Sequence, residues 1–245
     1  MYNDIKNNIW HVKQEINTIQ KQHNKLQKKI SFVAVSKNQS IDTINNVLST
    51  GQREFGENYV QESIKKILWF KNNKKIYPKP IWHFIGHIQS NKIKLIAEYF
   101  DWCHTITNKN TAFYLNKLRK EDAAPLNILI QININQAKNK SGIYPDELVN
   151  LSEKILIYSR LKLRGLMAIP TRESDYYKQL KVFLNMNKLF KQLQNIYPSI
   201  DTLSIGMSND MTAAIAAGGN LLRIGTAIFG NRTKNKNLKI LNNGI

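Results

Sequence analysis

The chain of 245 residues has one cysteine, Cys103, so no disulfide can form within it. Long hydrophobic runs are missing too: "FVAVS" and "LNILIQINI" fall well short of the roughly 20 apolar residues that a membrane-spanning helix needs. No charged segment followed by an apolar stretch opens the sequence, as a secretory leader would require. Six prolines and eleven glycines are scattered along the chain and nowhere form a linker, and no break in composition divides it. These absences predict a soluble protein in a reducing, cytoplasmic setting, with residues 1–245 as a single domain and a polar tail over about 233–245. Hydrophobic residues make up 42% of the chain, enough for a sizeable core.

Acidic residues are also scarce: 17 Asp and Glu stand against 36 Lys and Arg, a formal net charge of +19. A basic excess of this size raises the question of a nucleic-acid partner, because lysine clusters gain from counterion release on phosphate backbones. The lysines are spread through "KQHNKLQKK", "KNNKKIYPK" and "KNKNLK" and through most helical stretches, with no aromatic-interleaved basic motif. They read as solvated surface, and no specific nucleic acid is expected as a partner.

What is present is alternation. After a segment with helical apolar spacing (Ile5, Ile9, Val12, Ile16, Ile19), strand-like runs occur at 30–36, 53–56, 81–86, 102–106, 126–134, 161–169, 202–206 and 221–225. Helical patterns fill the gaps near 41–50, 58–70, 90–99, 109–121, 145–159, 174–195 and 209–217. Eight continuously apolar strands with seven intervening helices predict an α/β fold, a single (β/α)8 TIM barrel with an extra N-terminal helix.

In such a barrel the chemistry sits where the strands end at their C-termini. Lys37 ends "FVAVSK", and an amine held there beside apolar walls can be neutral and condense with an aldehyde to a Schiff base, although alone it reads more readily as a lysine snorkelling at a strand end. Gly56, Glu57 and Asn58 follow the second strand, where Gly56 permits close backbone approach; the same residues also suit a turn and helix cap. His83 lies within the third strand and His87 beyond it. A histidine in an apolar run is more often a hydrogen-bonded core residue than a ligand, and neither has a Cys or carboxylate at metal-ligand spacing, so no metal site is predicted.

"SIGMSNDMTAAIAAG" and "LLRIGTAIFG" each run from a strand through a glycine turn into a segment with free amides, in the two loops that bind phosphate in many barrels. Arg223 interrupts a strand and must be paired or aimed at a ligand. A lysine for an aldehyde, a phosphate cradle and an inward arginine together suggest pyridoxal 5'-phosphate (PLP).

The blocks "AVSK", "GQREFGENYVQE", "WHFIGHIQSNK", "FDWCHTI", "NKSGI", "LRGLMAIP", "DTLSIGMSNDM" and "RIGTAIFG" run in order along nearly the whole chain. In these blocks the sequence resembles the pyridoxal phosphate homeostasis proteins, related in fold to the N-terminal barrel of alanine racemase. The resemblance implies that Lys37 carries PLP as a Schiff base. It implies that Ser204, Gly206, Met207 and Ser208, with Gly225 and Thr226, hold the phosphate, and that Arg223 faces the pyridine nitrogen. Asn58 and Met167 match positions near the cofactor, and Lys140 matches a second family lysine at the barrel mouth. Ile88 stands where the family usually has Leu, a volume-conserving change.

By the same resemblance the protein buffers or delivers PLP as a monomer, with PLP-dependent apo-enzymes as possible recipients, and has no strong catalytic activity. A PLP-dependent amino-acid racemase is the alternative. Racemisation on two faces needs a second acid or base, and only about twenty residues, none of them Tyr, follow the eighth strand. An arginine at the ring nitrogen also weakens the cofactor as an electron sink.

Overall fold

A computed structural model describes residues 2–23, 29–73, 75–76 and 78–230, and the polar tail expected over 233–245 lies outside the described residues. Strands β1 (Ser31–Val35), β2 (Glu54–Glu57), β3 (Ile81–Phe84), β4 (Trp102–Ile106), β5 (Leu126–Gln131), β6 (Leu161–Met167), β7 (Thr202–Ser204) and β8 (Leu221–Ile224) are all parallel. They close into a barrel in sequence order, with β8 paired back onto β1. The ring is the (β/α)8 architecture read from the sequence, each strand core lying within a predicted run or within one residue of it.

Side chains alternate across the strands and so divide the apolar residues in two. Phe32, Ala34, Phe55, Trp82, Phe84, Ile128 and Leu203 join the large cluster between sheet and helices. Val33, Ile85, Leu129, Met167 and Leu221 are equally buried yet stand apart from that cluster, on the inward parity. Gly56 shares this interior: a Cβ there would lie 2.8 Å from a Val33 methyl, so the glycine leaves room for the side chains around it.

The outer layer is α1 (Tyr2–Gln22), α2 (Ile41–Leu48), α3 (Val60–Asn72), α4 (Ile93–Tyr99), α5 (Lys109–Leu118), α6 (Leu148–Leu156), α7 (Tyr176–Ile196), α8 (Met211–Ala216) and α9 (Thr226–Phe229). Several starts are fixed by local chemistry. Ser40, Asn108 and Asp175 accept from the backbone N–H three residues on, at 3.1, 2.8 and 2.8 Å, and so satisfy donors at the first turns of α2, α5 and α7. Ile5, Ile9, Val12, Ile16 and Ile19 form the buried stripe of α1, which packs on α2, α8 and α9 across the seam between last and first strands. Asn8 locks it there by donating to the Ile228 carbonyl at 2.9 Å.

Two ends of the barrel result. At the floor, Arg164 is bidentate to Asp201, with contacts of 2.9 and 2.6 Å, and lies over the Trp102 ring at 4.8 Å. At the other end open the loops that carry Lys37, Asn58, His87, Lys140, Ser208 and Thr226.

Candidate functional site

The mouth is built on β1 and β2. The Ser36 amide continues the ladder by donating to the Gly56 carbonyl at 2.9 Å, so Lys37 carries on the inward parity of Val33 and Val35. Lys37 is half-buried and makes contacts within the fold. Its neighbours are held by a cluster from α3. Lys66, 5% exposed, donates from Nζ to the Ser36 carbonyl and to Glu57 Oε1, both at 2.9 Å, and pairs with Glu62 one turn earlier. The Ser36 hydroxyl donates to Glu57 at 2.6 Å, and the Asn38 amide donates to Glu62 at 2.7 Å. Burial pushes the fully enclosed Glu57 carboxyl upward, while the Lys66 ammonium pulls it back.

Beneath the mouth a polar chain runs through the barrel interior. Arg223, 4% exposed, donates from one terminal nitrogen to the Ser204 carbonyl at 2.8 Å and hydroxyl at 2.7 Å, and from the other to the Ala168 carbonyl at 2.8 Å. These bonds use three of the five guanidinium N–H groups. Burial lowers the Arg223 pKa to about 10, which still leaves it charged at neutral pH. Ser204 Oγ lies 3.3 Å from His104 Nδ1, and His104 Nε2 lies 2.9 Å from His83 Nδ1. Both rings are fully buried, His83 stacks on Trp102, and burial depresses both imidazoles, His83 to about 3.

The arginine heads this chain as its one fixed donor. Ser204 Oγ accepts from the guanidinium and lies against His104 Nδ1, and His104 Nε2 lies in turn against His83 Nδ1. The other ring nitrogen of His83, Nε2, is buried without a hydrogen-bond partner.

The expected anion loops flank this chain. Gly206 takes φ +89° to turn from β7 towards α8, and a Cβ there would come within 2.5 Å of the Ala214 methyl. Asp210 takes the Met207 amide, and Ser208 Oγ accepts from the Ala227 amide at 3.4 Å, tying the two loops together. Gly225 and Thr226 open α9, a short helix that the sequence reading left as an unassigned segment. Of the residues expected to hold phosphate, Ser204 is the one whose side chain points into the interior, against Arg223.

Beside the mouth, a cleft of about 360 Å³ lies between the β2 and β3 loops, lined by Asn58, Gln61, Gly86, His87 and Lys92 among others. Asn58 Oδ1 is buried there without a partner. Met167 is fully buried on the inward side of β6, and Lys140 is exposed in the loop after β5. Among the described residues no group of three or more His, Cys, Asp and Glu is arranged to hold a metal ion. No helix among them is long and apolar enough to cross a membrane.

The family model "Alanine racemase, N-terminal domain" matches residues 9–233. The pyridoxal phosphate homeostasis protein of Escherichia coli (strain K12) is 47% identical over 234 residues, covering 96% of this chain and 99% of that protein. The chain belongs to the pyridoxal phosphate homeostasis protein family. Among solved structures, PipY of Synechococcus elongatus PCC7942 without PLP superposes with a TM-score of 0.81 at 28% identity, covering 92% of this chain and all of that one. PipY with PLP bound superposes at 0.78 over the same shares.

The sequence reading missed the buried partners behind the mouth and in the barrel interior: Lys66, Glu62 and His104. Lys66 had one legible signal, because it adjoins Ile67 on the stripe formed by Val60, Ser63 and Phe70, where a charge is costly. His104 had none, since its partners come from β3 and β7.

Proposed function

We propose that this protein binds pyridoxal 5'-phosphate reversibly on Lys37 and buffers or delivers it inside the cell, without strong catalytic activity of its own. The observation that carries the reading is the convergence of an inward-parity, half-buried Lys37 and a buried Arg223 on one barrel mouth. The 47% identical E. coli relative named for PLP homeostasis supports it, as does PipY, solved with PLP bound. When bound, PLP supplies an aldehyde that a primary amine takes up reversibly and a ring that draws electrons from it.

The residues present fit that group. Asn58 brings a buried oxygen with no partner in the fold, and Arg223 has N–H groups beyond the three already used. In this reading Lys37 provides the amine, Arg223 approaches the ring nitrogen, and Asn58 and Met167 border the ring. Ser204, Gly206, Met207, Ser208, Gly225 and Thr226 surround the phosphate. A guanidinium in that position holds the ring nitrogen without its proton and so disfavours carbanion chemistry. The reading takes residues 1–245 as one cytoplasmic, monomeric domain, with PLP-dependent apo-enzymes as recipients.

The test is the visible spectrum with added PLP, followed by borohydride reduction and mapping of the labelled lysine. A yellow band with the label on Lys37 is expected. A label scattered over surface lysines, or sustained turnover of L- or D-alanine, would overturn the reading.

A further inference from the structure

Lys66 poses a physical problem. A buried ion pair costs several kcal/mol of desolvation, and a well-packed apolar side chain on the same helix face often gives equal or better stability. Stability alone therefore does not account for an ammonium at 5% exposure on the apolar side of α3. Its bonds supply the account. The three donors of its ammonium meet three acceptors: the Ser36 carbonyl, Glu57 and Glu62.

Two of these acceptors lead straight back to the chain around Lys37. Glu57, at the end of β2, takes the Ser36 hydroxyl and Glu62 takes the Asn38 amide; with Lys66 on the Ser36 carbonyl, the residues immediately before and after Lys37 are both tied to α3. Asn38 sits at φ +62°, a left-handed backbone that Asn tolerates better than most residues and that turns the chain sharply after Lys37.

We propose that Lys66 and Glu62, paired directly and with Glu57 on the same ammonium, are positioning residues that clamp the backbone on both sides of Lys37 and hold its amine at the barrel mouth. The proposal rests on the PLP reading for its purpose, while the clamp is a property of the protein alone. Glu62 is the point at which to test it, because its side chain is 30% exposed and its loss leaves the buried Glu57–Lys66 pair in place. Glu62→Ala removes the acceptor for the Asn38 amide; Glu62→Gln keeps an oxygen there and loses only the charge.

The first measurement is amide exchange at Asn38 in the protein without PLP. Protection is expected in the wild type and in Glu62→Gln, with exchange at least about tenfold faster in Glu62→Ala while the strand amides are unaffected. The second is PLP affinity with mapping of the borohydride-fixed label. Loss of preorganisation should weaken binding of Glu62→Ala by about tenfold and spread its label to other lysines, with Glu62→Gln restoring both. Equal Asn38 exchange in wild type and Glu62→Ala overturns the clamp. So does changed exchange with unchanged affinity and label selectivity. A wild type that PLP does not label at Lys37 overturns the PLP reading instead, and the exchange result then still decides the clamp.

Discussion

At the scale of single residues, Lys37 and Arg223 carry the strongest predictions. Lys37→Ala should abolish the yellow band while leaving the unfolding midpoint nearly unchanged, since a half-buried side chain at a strand end supplies little of the core. Arg223→Met should do the reverse in part. It strips the donor from the Ser204 and Ala168 carbonyls inside the barrel, and at roughly 1–3 kcal/mol for each stranded acceptor it should destabilise the protein by about 2–6 kcal/mol in urea unfolding. Both residues were legible in the sequence, because a cation at the end of or inside an apolar strand is conspicuous. Lys66 hid among the many lysines of the chain, and His104 gave no sign that it would meet His83 from one side and Ser204 from the other.

Elements position these residues, and the tightest is the turn between β7 and α8. Gly206 needs its left-handed φ, and any side chain would collide with Ala214. Gly206→Ala should cost about 2–3 kcal/mol in strain and displacement, a fall of roughly 5–10 °C in Tm for a chain of this size, read by thermal unfolding. It should also weaken PLP binding, because the loop holding Met207 and Ser208 moves with the turn. The sequence marked this turn through its glycine and the Ala-rich helix beyond. It did not mark α9, whose four residues are too few to show a period, or the hydrogen bond from the Ala227 amide to Ser208 that joins the two loops.

For the whole molecule, the buried histidine pair links stability to pH. The folded pKa values of His83 and His104 are depressed below the ordinary 6.5, so between pH 6.5 and about 3 the unfolded chain binds protons that the fold at His83 does not. Stability from these groups is therefore present above pH 6.5 and is lost as pH falls, approaching about 2.7 kcal/mol per pH unit for two protons. Urea unfolding at pH 7.5 and 5.5 checks this, and proton NMR should show two imidazoles that do not titrate between pH 8 and 5. Glu54, Glu57, Asp101 and Asp210, raised by burial, have the opposite sign. Their contribution is full below the unfolded carboxylate values and is lost as pH rises through the folded ones, so it opposes the histidine loss at the acid end.

The sequence by itself determined the eight strands, the helices between them and the strand ends where polar residues gather. Hydrophobic period and glycine turns are local properties, and closing eight such units into a ring leaves few topologies. Only the tertiary structure decided which polar groups satisfy one another. Lys66 on α3 reaches back to the carbonyl of Ser36 at the end of β1, and Arg223 on β8 spans to Ser204 on β7 and to Ala168 beyond β6. Burial makes each of those bonds obligatory, but the partner is chosen by distance in space, which residue spacing along a chain does not encode.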